Sequence, residues 1–265
     1  MQFTDQLQRT INIDHPPKRI ISIVPSQTEL LFDLGLNDEV VGITKFCIHP
    51  DEWFRNKTRV GGTKQLKTEV IEKLNPDLII ANKEENQKEQ LELLMQRWPV
   101  WVSDIKNLEG ALSMINSIGE ITRKSPAAEN IIADIRNNFQ SLSVSIALKK
   151  SKRAVYLIWY DPIMCAGSDT FINDLMQHCG FENIIAGVRY PEISHDSIET
   201  LHPEYILLSS EPFPFNTGHQ HDFQKRFPFA KIILADGEYF SWYGSRLLKA
   251  PSYFNSLRQA LDSES

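Results

Sequence analysis

Ser125–Lys149, SPAAENIIADIRNNFQSLSVSIALK, is the stretch on which the fold turns. Ser125 can cap the first exposed amides of a helix, and Pro126 fits the first turn, where a missing N–H had no partner to lose. Ile131, Ile132, Ile135, Phe139, Leu142 and Ile146 then recur at roughly the three-and-four spacing of a helix with one buried stripe. Neither Gly nor Pro interrupts it after Pro126. About 25 residues at ~1.5 Å each give a rod of roughly 37 Å, comparable to the diameter of a small domain. Such a rod either spans two lobes or is one ordinary long helix of a single domain, and the flanking sequence decides which.

On its N-terminal side, Arg19–Val24 (RIISIV) reads as a buried strand that breaks at Pro25. Ser26 and Glu29 make a capping box that opens a helix over Thr28–Leu34, stopped by Gly35, and Glu39–Thr44 supplies a second strand. Strand, tight turn, helix, Gly and strand in this order are the grammar of a parallel α/β sheet. IEKLNPDLIIAN adds a helix end, a Pro-stopped turn and a strand from Asp77; a charged helix with Leu91, Leu94 and Trp98 inward, a strand over Pro99–Val102 and one more helix precede the rod. Beyond it, Arg153–Tyr160 is again a strand, SDTFINDLMQHCG again a helix ending at Gly180, and FENIIAG again a second strand. IEKLNPDLIIA from Ile71 and IETLHPEYILL from Ile198 share Ile-Glu, a Leu, Pro, an acid and an apolar strand at matching offsets. The spacing therefore predicts an α/β fold of two Rossmann-like lobes with mainly parallel sheets, residues 1–124 and 150–265, joined by the long interdomain helix 125–149. A cleft between lobes is the default ligand site of such a chain.

With 265 residues, 42% hydrophobic and 23% charged, composition is that of an ordinary globular protein. A net charge of −6 without a basic run argues against nucleic-acid binding. Cys47, Cys165 and Cys179 are an odd number at no zinc-like spacing, so neither a disulfide framework nor a structural metal site is expected. The N-terminus has no apolar run of signal-peptide length and no membrane-spanning stretch occurs, so the sequence as written predicts a chain that is neither exported nor membrane-spanning.

The second strand runs into FCIHPDEWF, and ligands of open parallel sheets bind beyond the carboxyl ends of strands. Phe46, Cys47 and His49 are thus candidates, against the alternative that Cys47 is a small buried residue and His49 caps the helix begun by Pro50. Gly61-Gly62-Thr63-Lys64 lacks the spacing of a phosphate loop and reads as a turn. After the strand KIILADG comes GEYFSWYGSR, where Tyr239, Phe240, Trp242 and Tyr243 crowd five positions closed by Arg246. Aromatics bunched at a strand end predict a loop lining a cleft and suit a large flat ligand, with Trp159, Tyr160 and Tyr190 as a facing wall and Phe240 as plain packing. His219 and His221 invite a metal reading but lack a third ligand at fixed spacing, as solvent-exposed histidines do.

The order of motifs, IVPSQTELLFDLGL, V-G-I-T, Cys47-Ile-His49-Pro50, V-G-G, L-x-P-D-L-I-I-A and a long connecting helix, resembles the helical-backbone substrate-binding proteins of ABC importers, in their cobalamin- and iron-siderophore-binding branch. The resemblance implies a binder rather than an enzyme, a cargo of cobalamin, another corrinoid, haem or a ferric siderophore, and no required cofactor. It places ligand contacts at Phe46, His49, Tyr190, Glu238, Tyr239, Trp242 and Arg246, beside Tyr160, with Arg246 pairing an anionic group of the ligand. It implies a monomer that docks on an ABC permease dimer, if exported, through one acid per lobe, Glu89 (or Glu85) and Asp196. It also implies a periplasmic or membrane-anchored location, which the missing export signal contradicts. His49 stands where Tyr is common, so its imidazole is a candidate axial ligand of a cobalt or iron centre. The alternative from a different class is a tetrapyrrole metal chelatase using His49 with Asp51 or Glu238.

Overall fold

The computed structural model describes residues 1–13 and 16–263. The chain divides into two compact units. The first is Met1–Ile105, Glu109–Asp134 and Tyr243–Arg246; the second is Lys106–Leu108, Ile135–Trp242 and Leu247–Ser265.

In the first unit, β1 (Gln2–Thr4) and β2 (Thr10–Asn12) form an antiparallel hairpin. The main sheet follows: β3 (Ile20–Ser22), α1 (Pro25–Asp33), β4 (Val40–Ile43), α2 (Asp51–Asn56) and β5 (Thr58–Arg59). A small hairpin of β6 (Gly61–Gly62) and β7 (Gln65–Leu66) leads to α3 (Thr68–Leu74), β8 (Leu78–Asn82), α4 (Lys88–Met95), β9 (Val100–Ser103) and α5 (Leu108–Ile121). Among the described residues the sheet order is β5-β4-β3-β8-β9, all parallel. Every residue of β8 is buried, as a strand covered on both faces requires. Its Ile79 and Ala81 join Ile21, Ile71, Leu91, Leu94 and Trp98 in one core cluster.

The expected capping box at Ser26 and Glu29 does not form. Pro25 takes the first helical position, Val24 is the N-cap, and no side chain caps the end. The helix therefore starts three residues earlier than the Ser–Glu pattern suggests, because Pro pre-sets the φ of its first turn. Gly61-Gly62 belongs to the β6–β7 hairpin.

α6 (Ser125–Ala147) is one uninterrupted helix of 23 residues that begins in the first unit and ends in the second. Its stripe is buried at Ile135, Phe139 and Leu142, with Ala128 added near its start.

The second unit contains β10 (Lys152–Trp159), β11 (Met164–Cys165), α7 (Phe171–His178), β12 (Phe181–Asn183), α8 (His195–Leu201), β13 (Tyr205–Ser209), α9 (Thr217–Arg226), β14 (Lys231–Ala235), α10 (Gly237–Ser241) and α11 (Ala250–Ser263). Strands run in the order β11-β10-β13-β14, with β12 also parallel to β10 and β11 antiparallel to it. Val155 and Leu157 of β10 and Ile206 and Leu208 of β13 share one core with Phe215, Phe223 and Phe227.

The repeat seen in the sequence extends to single atoms. α3 ends at Asn75 and α8 at His202, both left-handed (φ 43° and 48°), and each is followed by a Pro, an acid and a strand. Arg19 N–H donates to Asp77 and Arg153 N–H to Glu204; each arginine side chain then reaches back to the last carbonyls of the helix before that acid. Both ends thus satisfy carbonyls a helix would otherwise leave open.

Candidate functional site

In the first unit, β4 ends at Ile43 and the chain turns through Thr44–Pro50 into α2. Cys47 faces inward: its Sγ lies 3.1 Å from both Thr28 Oγ1 and Thr44 Oγ1, and burial pushes its thiol up. It is a packed residue, the plainer of its two readings. Phe46 is 50% exposed, with the Lys45 ammonium 4.9 Å from its ring centroid. His49 is half-buried and near enough to Glu29 to favour that carboxylate's charged form.

Glu29, on α1, is in turn bound by Arg246 through two contacts, Nε to Oε2 at 3.0 Å and Nη2 to Oε1 at 2.8 Å. Tyr243 donates to Glu85 and Ser245 to Asp33. Between them Gly244 comes so close to α1 that a Cβ would sit 2.4 Å from the Ser26 carbonyl oxygen, so only Gly fits. Burial raises the Glu29 carboxyl and the Asp33 charge adds to this, while Arg246 and His49 oppose it. Arg246, expected to meet an anionic ligand group, is buried and paired with Glu29. His49, Glu29 and Arg246 are brought into one neighbourhood of this unit.

In the second unit, Trp159 closes β10 and Tyr160 follows, 39% and 37% exposed. Phe213 braces both, edge-on to Trp159 at 5.7 Å and stacked on Tyr160 at 5.6 Å. The aromatic run after β14 is not the loop its composition predicts. Asp236 caps Glu238 N–H and Gly237–Ser241 forms the helix α10, which turns Phe240 fully inward. Trp242 is only 5% exposed and its indole N–H donates to Glu211 at 2.8 Å, so it lies within the packing of its unit. Tyr239 stacks on Tyr253 at 4.6 Å and stays half-buried, as do Glu238 and Tyr190. Glu211 also accepts from Ser241 Oγ; burial raises its carboxyl, with Glu238 and Asp236 adding to the effect. At the carboxyl ends of β13 and β14 lies a cavity of about 410 Å³ to which Asp236 and Glu238 contribute.

The histidine pair is not gathered for metal. His219 Nδ1 accepts the Asn216 N–H in a capping box, and its ring packs 4.9 Å from Tyr160, while His221 points outward. Among the described residues no group of three or more His, Cys, Asp or Glu side chains could hold a metal ion, and no helix is long and apolar enough to cross a membrane.

Of the acids considered for docking, Glu85 is half-buried under Tyr243, whereas Glu89 is exposed in the first turn of α4. Asp196 is exposed in the first turn of α8, 3.3 Å from Arg226. The repeat identifies a residue that motif reading missed. Aligning Ile71 with Ile198 sets Asp196 opposite Glu69, exposed in the first turn of α3. The signal was the repeat itself, counted backwards from its prolines.

Residues 20–232 match the family model described as periplasmic binding protein. A vitamin B12-binding protein of Vibrio campbellii is 26% identical over 216 residues, 80% of this chain and 78% of its own. The crystal structure of a periplasmic vitamin B12 binding protein of Vibrio cholerae superposes with a TM-score of 0.79 at 23% identity, covering 91% of this chain and 96% of that one. A periplasmic heme-binding protein from Roseiflexus sp. superposes with a TM-score of 0.79 at 19% identity, over 92% and 98% of the two chains. These two structures share its fold of parallel α/β sheets. The chain belongs to the periplasmic binding protein family, a family of binders and not of enzymes.

Proposed function

We propose that this chain is the substrate-binding protein of an ABC importer and that its cargo is a metal chelate, a corrinoid before haem or a ferric siderophore. One observation carries the reading: the vitamin B12-binding relative matches over 80% of this chain and 78% of its own. The exposed rings support it. Phe46, Trp159 and Tyr160 stand at or just beyond the carboxyl ends of parallel strands, where flat ligands can stack on them. Phe46, His49, Tyr160, Tyr190, Glu238 and Tyr239 are the proposed contacts. Trp242 and Arg246 serve by holding that terminal segment in place. On this reading the chain works outside the cytoplasmic membrane as a monomer and hands its cargo to a permease. Asp196 and its repeat partner Glu69, in preference to Glu89, are the acids that would meet the permease's basic groups. The family membership removes the ground for a chelatase.

Titration with cyanocobalamin, haem and a ferric siderophore, followed by absorbance and tryptophan fluorescence, tests the proposal. Saturable binding without turnover is expected, strongest for the corrinoid. Metal insertion into a free tetrapyrrole, or no saturable binding of any of the three, would overturn it. His49 is proposed as an axial ligand of the bound metal. His49→Ala should then shift the visible spectrum of the bound chelate and weaken its binding; an unchanged spectrum and affinity would remove that role.

A further inference from the structure

His219, in the first turn of α9, does two things at once. Its Nδ1 accepts the Asn216 N–H at 3.2 Å, while the Asn216 side chain accepts from the N–H groups of Gly218 and His219, which closes a capping box. Its ring also lies 4.9, 5.2 and 5.6 Å from the rings of Tyr160, Phe213 and Phe215. Glu or Gln ordinarily fills this position of a capping box, and either would supply the acceptor. Neither would supply a ring. The cap alone therefore does not explain an imidazole here.

Tyr160 explains it better. It is 37% exposed, and among the described residues its hydroxyl has no hydrogen-bond partner, so its orientation rests on ring packing. Of the rings around it, Phe213 is 5.6 Å away, Phe215 6.2 Å and Phe223 6.4 Å, and His219 is nearer than any of these. Phe215 and Phe223 belong to the core of this unit, and Phe213 packs against that core. α9 is itself tied down, since Gln220 Nε2 donates to the Ile232 carbonyl at 2.8 Å and Gln224 Nε2 to the Ala230 carbonyl at 3.0 Å. A ring braced in this way loses little freedom when a ligand stacks on its open face.

Resting on the chelate-binding reading above, we propose that His219 is a positioning residue that holds the Tyr160 ring as a preformed stacking surface for the flat face of the chelate. The imidazole links the start of α9 to the residue that follows β10, and every group it uses lies within the second unit. His219 acts through Tyr160 and not by ligating the metal.

Two substitutions separate its roles. His219→Gln keeps an acceptor for the Asn216 N–H and removes the ring, whereas His219→Phe keeps a ring and removes the acceptor. Cyanocobalamin and haem are titrated against each protein, and the induced circular dichroism of the bound chelate is recorded at saturation. H219Q should bind about three- to tenfold more weakly, the worth of one aromatic contact, and should alter the induced band. H219F should restore most of the affinity and the wild-type band. A loss of stability alone would change the folded fraction and leave the band of the saturated protein as it was. In a Tyr160→Ala background, itself weaker in binding, H219Q should add less than about twofold, because the residue through which it acts is gone. The inference is refuted, and the chelate-binding reading stands, if the wild type binds either chelate while H219Q stays within twofold of it. The same holds if H219F loses as much as H219Q, if Tyr160→Ala leaves the affinity unchanged, or if H219Q costs the same with and without Tyr160. Saturable binding of neither chelate by the wild type would overturn both.

Discussion

Replacing Arg246 with Met separates two roles for one residue. The Arg246 side chain is 10% exposed and that of Glu29 14%, and they meet through two hydrogen bonds of 2.8 and 3.0 Å. Removing one member of such a pair strands the other in a place with little water, at a cost of about 3–5 kcal/mol, whereas replacing both with apolar residues of similar volume is often neutral or better. Burial already raises the Glu29 carboxyl in spite of Arg246, so the attraction only partly offsets desolvation. R246M should therefore destabilise by about 3–5 kcal/mol, on the order of 10 °C in Tm for a chain of this size. The double variant E29L/R246M should recover most of the loss. In R246M the carboxyl of Glu29 loses the first influence that lowers it, so the penalty should shrink as pH falls and the group takes up a proton. Urea unfolding followed by circular dichroism at neutral and mildly acid pH measures all three. The same proteins, titrated with cyanocobalamin, decide the binding role: a structural Arg246 predicts that E29L/R246M keeps its affinity. A loss below about 1 kcal/mol in R246M, the range of an exposed pair, would refute the buried-pair argument. Loss of binding in a well-folded double variant would return Arg246 to the ligand.

Phe139 and Val144 test the buried stripe of α6. Phe139 is 4% exposed and packs edge-on against His178 at 5.1 Å, so Phe139→Ala should cost about 3–5 kcal/mol in denaturant unfolding, while Val144→Ala, at 66% exposure, should stay within about 0.5 kcal/mol. Equal effects would mean the stripe is misplaced. Glu211 gives a pH dependence. Its folded carboxyl lies above the ordinary 4.5, so between the two values the folded chain holds more proton than the unfolded one, and this group's contribution falls as pH rises through the window. Glu211→Gln, whose amide oxygen can still accept from Ser241 and Trp242, should flatten that part of the Tm against pH curve; parallel curves for the two proteins would exclude Glu211 as the cause.

Elements with two agreeing signals were legible in the sequence. α6 combined a Ser-Pro start with an unbroken stripe, and its observed start is Ser125. β8 and β13 each follow a helix end, a Pro and an acid, and both are buried along their whole length. The start of α1 was misread because Ser26 followed by Glu29 satisfies a capping pattern, yet Pro25 satisfies a stronger constraint one position earlier. Pattern matching ranks such signals equally, whereas the chain follows the one that restricts φ.

The site was less legible because function and packing use the same residue types there. Counting Tyr239, Phe240, Trp242 and Tyr243 as one aromatic surface assumed an extended loop. An Asp cap and five helical residues instead put the first two of these rings on a helix: Phe240 turns inward, and Tyr239 lies against Tyr253. Trp242 then finds Glu211 and Tyr243 finds Glu85, contacts between residues 31 and 158 positions apart, which no local pattern encodes. Arg246 is the same case, since its partner Glu29 lies 217 positions away. The local signal that did survive is exposure of large rings at strand ends, Phe46, Trp159 and Tyr160, each of which leaves more than a third of its surface to solvent. A ligand-binding assignment for this chain therefore rests best on those rings, and least on Trp242, Tyr243 and Arg246, whose polar atoms the fold has already matched.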